Sequence, residues 1–234
     1  MNCFVDYKIT TEEFTSLKKL GFNIIKIPKC TDVYNAINGH PDIQLCILNN
    51  ITKEVIINKN ISSEFKNQLI KNKISYKESY YEIMSPYPNN IGLNALITDE
   101  FLIHKISNTD KNLLNIFESS KKLINVKQGY TKCSCLQISD KAIITNDKGL
   151  HKKLLELSFD VLLLPYGDII LEDFDYGFIG GVGGMISAKE LALFGNLNKY
   201  KYGEDVKSFL SKHDVTPIYL ANTKLIDRGS LFVI

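Results

Sequence analysis

The sequence predicts an α/β ring of five ββαβ units, a propeller closed by pairing of its N- and C-terminal strands. Three observations support this. A hairpin–helix–strand order recurs with a period of about forty to fifty residues, the range of circular and stacked arrays. Two strands precede each helix, whereas a doubly wound parallel sheet would alternate single strands with helices. The two termini each hold part of one unit, so a fifth copy is complete only when they meet.

The clearest copy runs from Cys133 to Tyr166. Cys133 to Ile138 reads as a strand, Ser139-Asp140-Lys141 as a tight turn, and Ala142-Ile143-Ile144-Thr145 as the hairpin partner. Asn146 or Asp147 supplies an N-cap oxygen, and Leu150, Leu154 and Leu157 follow at helical spacing. Val161 to Pro165 is a short apolar run of the kind a buried strand shows.

Upstream, Ile43 to Leu48 and Val55-Ile56-Ile57 form a hairpin about Asn49-Asn50. Ser62 or Ser63 then caps a helix bearing Phe65, Leu69 and Ile70, and Ile74-Ser75-Tyr76 returns. A third copy has Leu93 to Ile97, a turn at Asp99-Glu100, Phe101-Leu102-Ile103, a helix with Leu113, Ile116 and Phe117, and Leu123 to Val126. Downstream, Met185-Ile186-Ser187, a turn near Ala188-Lys189 and Leu191 to Phe194 precede a helix with Val206, Phe209 and Leu210, then Val215 to Leu220.

The split copy joins Ser230 to Ile234 with Cys3-Phe4-Val5. Thr10 to Glu13 is a capping-box pattern, Phe14, Leu17 and Leu20 form an apolar stripe, Gly21 ends the helix, and Phe22 to Ile27 returns. Closure would also remove exposed strand edges.

Composition sets the remaining bounds. The 234 residues are 44% hydrophobic and 23% charged with net charge +2, as expected of one globular domain over 1–234. Lysines occur singly or in pairs, so no nucleic-acid footprint is expected. No apolar window reaches membrane-spanning length, and the first residues lack a signal-peptide pattern. Five scattered cysteines suit buried thiols and a cytoplasmic location. Cys133 and Cys135 lack zinc-knuckle spacing, so neither a structural metal nor a cofactor is expected.

The repeated unit resembles the pentein fold of the guanidino-group-modifying enzymes, which include arginine deiminases, amidinotransferases and dimethylarginine hydrolases. A ribosome-binding initiation factor shares that fold without being an enzyme. Gly39-His40-Pro41-Asp42-Ile43, Asp175 to Gly181, Phe194-Gly195-Asn196-Leu197 and Leu225 to Ser230 are similar to an uncharacterised bacterial branch of the superfamily. The resemblance implies reacting groups at strand starts near the ring axis: a carboxylate for the guanidinium, a histidine, and a cysteine nucleophile on the last hairpin strand. Asp42 matches the carboxylate. The last strand reads Asp227-Arg228-Gly229-Ser230-Leu231, with glycine or serine in the cysteine's place, and Tyr130 to Lys132 contains no histidine. The chain therefore departs from the family's hydrolase machinery.

Candidate site residues follow. His40 is a proton shuttle or part of a simple turn, and Asp42 binds a cation through charge-assisted bonds. Cys133, at the start of the equivalent strand, is an activated thiolate or a small buried apolar residue. The run Gly177 to Gly184 lacks both nucleotide fingerprints. Its Gly180 and Gly181 permit close backbone approach, or present N–H groups to a ligand carboxylate. Asp175, Asp227 and Arg228 line the axis or form an internal ion pair, and Asn90 and Asn94 stand at the same mouth. His104, His151 and His213 are expected in solvent.

The leading expectation is a small cationic or amino-acid-like ligand bound at the axial mouth. The rivals are a guanidine or amidine hydrolase using Cys133 with His40, and a non-catalytic protein- or ribosome-interaction module.

Overall fold

Five three-stranded sheets repeat one topology. The computed structural model describes residues 1–234. In the first unit β1 (Asn2–Asp6) leads to α1 (Thr11–Lys19) and β2 (Asn23–Ile27). The second contains α2 (Pro41–Gln44), β3 (Leu45–Asn49), β4 (Glu54–Ile57), α3 (Ser63–Lys71) and β5 (Ser75–Glu78). The third contains β6 (Leu96–Ile97), β7 (Phe101–His104), α4 (Lys111–Phe117) and β8 (Lys122–Asn125). In the fourth come β9 (Cys135–Gln137), β10 (Ala142–Thr145), α5 (Lys148–Glu156) and β11 (Asp160–Leu163). The fifth has β12 (Gly183–Ser187), β13 (Glu190–Leu193), α6 (Gly203–Lys212) and β14 (Thr216–Tyr219), and β15 (Phe232–Val233) ends the chain.

In every sheet the middle strand pairs antiparallel with the strand on one side and parallel with the strand on the other. The middle strands β1, β4, β7, β10 and β13 are the continuous apolar runs of the sequence, because both of their faces are buried. Successive side chains point to opposite faces, so each middle strand serves two cores. Val55 and Ile57 pack with Phe4 and Ile25, whereas Ile56 packs with Leu93 and Leu102. Phe101 and Ile103 join Ile143 and Leu150, while Ala142 and Ile144 join Leu191 and Leu193.

The fifth core decides the architecture. Cys3, Val5 and Leu17 of the first unit pack against Ile186, Ala192 and Phe194 of the last. β15 also pairs with β1, with Cys3 opposite Val233 and Phe4 opposite Phe232. Asn2 and Ile234 exchange backbone hydrogen bonds of 2.9 and 3.0 Å. Five interfaces between five units close the ring.

The helix starts follow the sequence reading. The Thr10 side chain accepts from Glu13 N–H and the Glu13 carboxylate accepts from Thr10 N–H, a complete capping box. Ser62 and Asp147 cap α3 and α5, and Asp110 caps α4 through two N–H groups. No helix is long and apolar enough to cross a membrane.

The structure corrects several local expectations. Asp42 lies not at a strand start but in α2, where Pro41 occupies the first turn and needs no N–H partner. The fourth hairpin begins at Cys135, leaving Cys133 and Ser134 in the turn before it, where the backbone bonds to Asn94 instead of a neighbouring strand. The terminal strand is only Phe232–Val233, because Ser230 takes φ +72° and Gly229 φ +68°. His104 is wholly buried rather than solvated. Its Nε2 donates to the Gly129 carbonyl at 2.9 Å and its Nδ1 meets the Thr109 hydroxyl at 2.8 Å, so a neutral ring is fully satisfied. Burial pushes its pKa down to about 4. His151 and His213 are half-buried, and His213 pairs with Asp160 at 2.8 Å.

Candidate functional site

Because the first two strands of a unit run antiparallel, the start of one lies beside the end of the other. One end of the ring therefore gathers five inner-strand starts and five middle-strand ends. The segments leading into the former hold His40, Asp42, Asn94, Cys133, Gly180 and Asp227 to Ser230, and the latter include Asp6. His40, Asp42, Asn94, Cys133, Asp227, Ser230 and Asp6 are all buried.

Asp42 is the hub. Its Oδ2 accepts from the Cys133 thiol at 3.0 Å and from the Ser230 hydroxyl at 2.8 Å. Its backbone carbonyl accepts from Asn94 Nδ2 at 2.9 Å, and the same amide donates to Cys133 Sγ at 3.1 Å. Asn94 Oδ1 in turn receives the N–H groups of Lys132 and Cys133. Lys132 Nζ donates to Ser230 Oγ at 3.0 Å, a second-hand link between this ammonium and Asp42. Asp42 Oδ1 is buried with no partner.

His40 sits between two further carboxylates. Its Nδ1 is 3.9 Å from Asp227 Oδ1 and its Nε2 is 4.0 Å from Asp6 Oδ2. Nδ1 has no hydrogen-bond partner although it is buried. Burial, reinforced by Lys8 and Arg228, lowers the His40 pKa to about 3, so the ring is neutral. Burial pushes Asp6 up to about 6 and Asp227, with Asp42 nearby, up to about 7. It also holds Asp42 above the ordinary carboxylate range, against the pull of Lys132 and its hydrogen-bond donors.

The glycine run is packed against this cluster. A Cβ on Gly180 would collide with the Lys132 and Cys133 carbonyls, and one on Gly181 with the Asp227 carboxylate. Gly180 turns a carbonyl toward Ser230 Oγ at 2.9 Å, and Gly181 O accepts from Arg228 and Ser230 N–H. Gly180 and Gly181 thus meet the cluster with acceptors rather than the expected N–H groups, and the N–H the run does offer comes from Phe178. Asp175 lies exposed, away from the cluster, because its segment runs over the surface before Gly177 turns inward. Arg228 does not pair with Asp227. It reaches Glu13 at 3.3 Å, so the capping-box glutamate also anchors the last segment. Asn90 is buried, with its amide on the Tyr130 hydroxyl at 2.8 Å.

Sequence reasoning missed Asp6, Lys132 and the full part of Ser230. Asp6 had a signal: it ends the apolar run Cys3-Phe4-Val5, where a middle strand reaches the same end of the ring. Lys132 had none.

Beside the cluster, Tyr130 and Phe178 stand with ring centroids 6.1 Å apart. Phe178 N–H donates to Asp227 Oδ2 at 2.8 Å. Tyr87, Tyr166 and Tyr176 extend this aromatic group toward solvent. At the opposite end of the axis a well of about 800 Å³ is lined by the inner strands, and Lys132 and Phe232 line it too.

Cys133 is not poised as a thiolate. Burial and the adjacent Asp42 and Asp227 carboxyls raise its pKa well above 9, the reverse of what nucleophilic activation requires. All five cysteines are buried, and burial pushes Cys3, Cys46 and Cys135 up to about 12. Native protein at neutral pH should accordingly label slowly with iodoacetamide at every cysteine, and unfolded protein should label fully. Rapid stoichiometric labelling of Cys133, read by peptide mass, would contradict this picture of the resting site.

Residues 4–232 match the sequence profile of DUF6873, a family of unknown function. The chain belongs to this family. No curated protein matches it in sequence. Among solved structures it is similar to SxtG, an amidinotransferase from Microseira wollei in the saxitoxin biosynthetic pathway. The identity is 12% and the TM-score 0.56, covering 99% of this chain and 96% of that one. It is also similar to the inosamine-phosphate amidinotransferase StrB1 from Streptomyces griseus, at 10% identity and TM-score 0.57, covering 92% and 74%. Dimethylarginine dimethylaminohydrolase from Pseudomonas aeruginosa, in complex with citrulline, aligns at 9% identity and TM-score 0.53, covering 95% and 92%. This DUF6873 chain has the pentein fold of the guanidino-modifying enzymes.

Proposed function

We propose that this DUF6873 protein binds a small organic cation of guanidinium or amidinium type at the buried junction of Asp42, Asp227 and His40. The observation that supports the reading is Asp42 Oδ1, a buried carboxylate oxygen without a partner. Two more buried carboxylates stand close by, and the only cationic-type side chain within 4.0 Å of Asp6 or Asp227 is the neutral His40. A planar cation with several N–H donors would satisfy Asp42 and compensate its neighbours in one step. The fold's neighbours are named for amidino and guanidino chemistry, and one holds citrulline. Tyr130 and Phe178 add aromatic faces that favour a cation near the site. Binding, rather than hydrolysis through Cys133, is the reading the raised thiol pKa favours.

Titration calorimetry with arginine, agmatine and methylguanidine tests this, and no heat with any of them sinks it. The pH dependence has a definite sign. Asp6 and Asp227 hold their protons up to about 6 and about 7 in the free protein, and a bound cation favours their ionised forms. Binding should therefore release protons below about pH 7, and affinity should rise with pH and level off above it. Heats in buffers of different ionisation enthalpy read the proton count directly.

A second reading, a protein-interaction face, draws on the exposed aromatic group at this end of the ring. Tyr34 and Phe174, with ring centroids 6.5 Å apart, are 36% and 52% exposed, and Tyr87, Tyr166 and Tyr176 lie partly open. It gains if the guanidine titrations are silent while Phe174→Ser abolishes capture of a partner by the native protein.

A further inference from the structure

We infer that His40, Asp42 and Cys133 form a binding site for one divalent metal ion of the zinc type. A ring nitrogen, a carboxylate oxygen and the sulfur all lie within 4.8 Å of one another. A tetrahedral ion with bonds of about 2.0–2.3 Å separates its donors by roughly 3.5 Å, so a contraction of up to about 1.3 Å seats it. Imidazole, carboxylate and thiolate together suit zinc or cobalt, and are too soft a set for magnesium or calcium.

The independent observation is a pair of buried polar atoms without partners. His40 Nδ1 and Asp42 Oδ1 are both buried and both lack a hydrogen-bond partner. Side chains left so in a folded interior need an explanation, and a bound ion is one of the few available.

The surrounding groups match what a metal site requires of its supports. Ser230 Oγ holds Asp42 Oδ2 at 2.8 Å, and Asn94 Nδ2 donates to Cys133 Sγ at 3.1 Å, a contact that favours anionic sulfur. With Nδ1 on the metal, His40 Nε2 faces Asp6 Oδ2 at 4.0 Å, the side on which a carboxylate orients a ligating histidine. That distance must close before a hydrogen bond forms, and Asp227 Oδ1 lies 3.9 Å from Nδ1 itself. Gly229 N–H and Phe178 N–H in turn fix Asp227.

The step balances without a redox partner. The sulfur–metal bond replaces the Cys133 S–H bond, and that proton leaves to solvent. The neutral imidazole donates a lone pair, and Asp42 binds as the carboxylate. The ion and an organic cation both need Asp42, so they would exclude one another. The inference stands whether or not the organic cation binds.

Cobalt titrated into the native full-length chain tests it. One ion per chain should bind, with a near-ultraviolet sulfur-to-cobalt charge-transfer band. Cys133→Ser should lose that band, and Cys135→Ser, which alters a buried thiol outside the cluster, should retain it. X-ray absorption of the zinc-loaded wild-type protein should show one sulfur among nitrogen and oxygen neighbours, and needs no variant to fold. Absence of stoichiometric binding, a band indifferent to Cys133→Ser, or a zinc shell without sulfur would overturn the assignment. Guanidine titrations of metal-free protein report separately, so either reading can fail alone.

Discussion

Asp42→Asn is expected to weaken binding of a guanidinium ligand by about two orders of magnitude, roughly 3 kcal/mol, the scale for removing one partner of a buried hydrogen-bonded charge pair. The substitution keeps the side chain's shape. An amide oxygen can replace Oδ2 and still accept from Cys133 and Ser230, whereas the negative charge is gone. Stability should change little. The buried carboxyl already resists ionisation, so a neutral amide relieves as much as it removes. Calorimetric affinity and thermal midpoint separate the two effects. Unchanged affinity in a folded Asp42→Asn protein would place the cation elsewhere.

Gly180→Ala should produce the largest loss of stability, about 2–4 kcal/mol, because the added methyl meets backbone of the turn that leads into β9. The obstructing atoms are the carbonyls of Lys132 and Cys133, which no rotamer change can move aside. Relief requires the fourth and fifth units to separate, and Ser230 and Asp42 would shift with them. Gly21→Ala is the control. Gly21 has φ +85° with nothing within 4 Å of a Cβ, so its loss is confined to backbone conformation, about 1 kcal/mol. Urea midpoints for the two variants test the contrast, and equal values would remove the packing argument.

Legibility differed between the fold and the site for a physical reason. Val55-Ile56-Ile57 and Ala142-Ile143-Ile144 announce buried strands because burial on both faces leaves no polar position, whatever the neighbours are. Thr10 and Glu13, Ser62 and Asp147 announce helix starts because a cap satisfies groups a few residues away. Such interactions are local, and their spacing is visible in a string of letters.

His104 shows the opposite case. Nothing near it in the chain marks it as buried, since its two partners come from Thr109 and from the carbonyl of Gly129, 25 residues on. Glu13 is legible as half of a capping box, yet its contact with Arg228 joins opposite ends of the chain. Cys133 meets Asp42 across 91 positions, and Ser230 meets it across 188.

By itself, then, the order of residues determined the repeated unit, its helix starts and the need for the termini to meet. Each of those rests on contacts between near neighbours or on a periodic pattern. Tertiary structure alone decided that Asp6, His40, Asp42, Cys133, Asp227 and Ser230 converge, and that two of them are left with unsatisfied atoms. That outcome depends on how far each unit is rotated about the axis and on which backbones glycine lets approach. No local period encodes either.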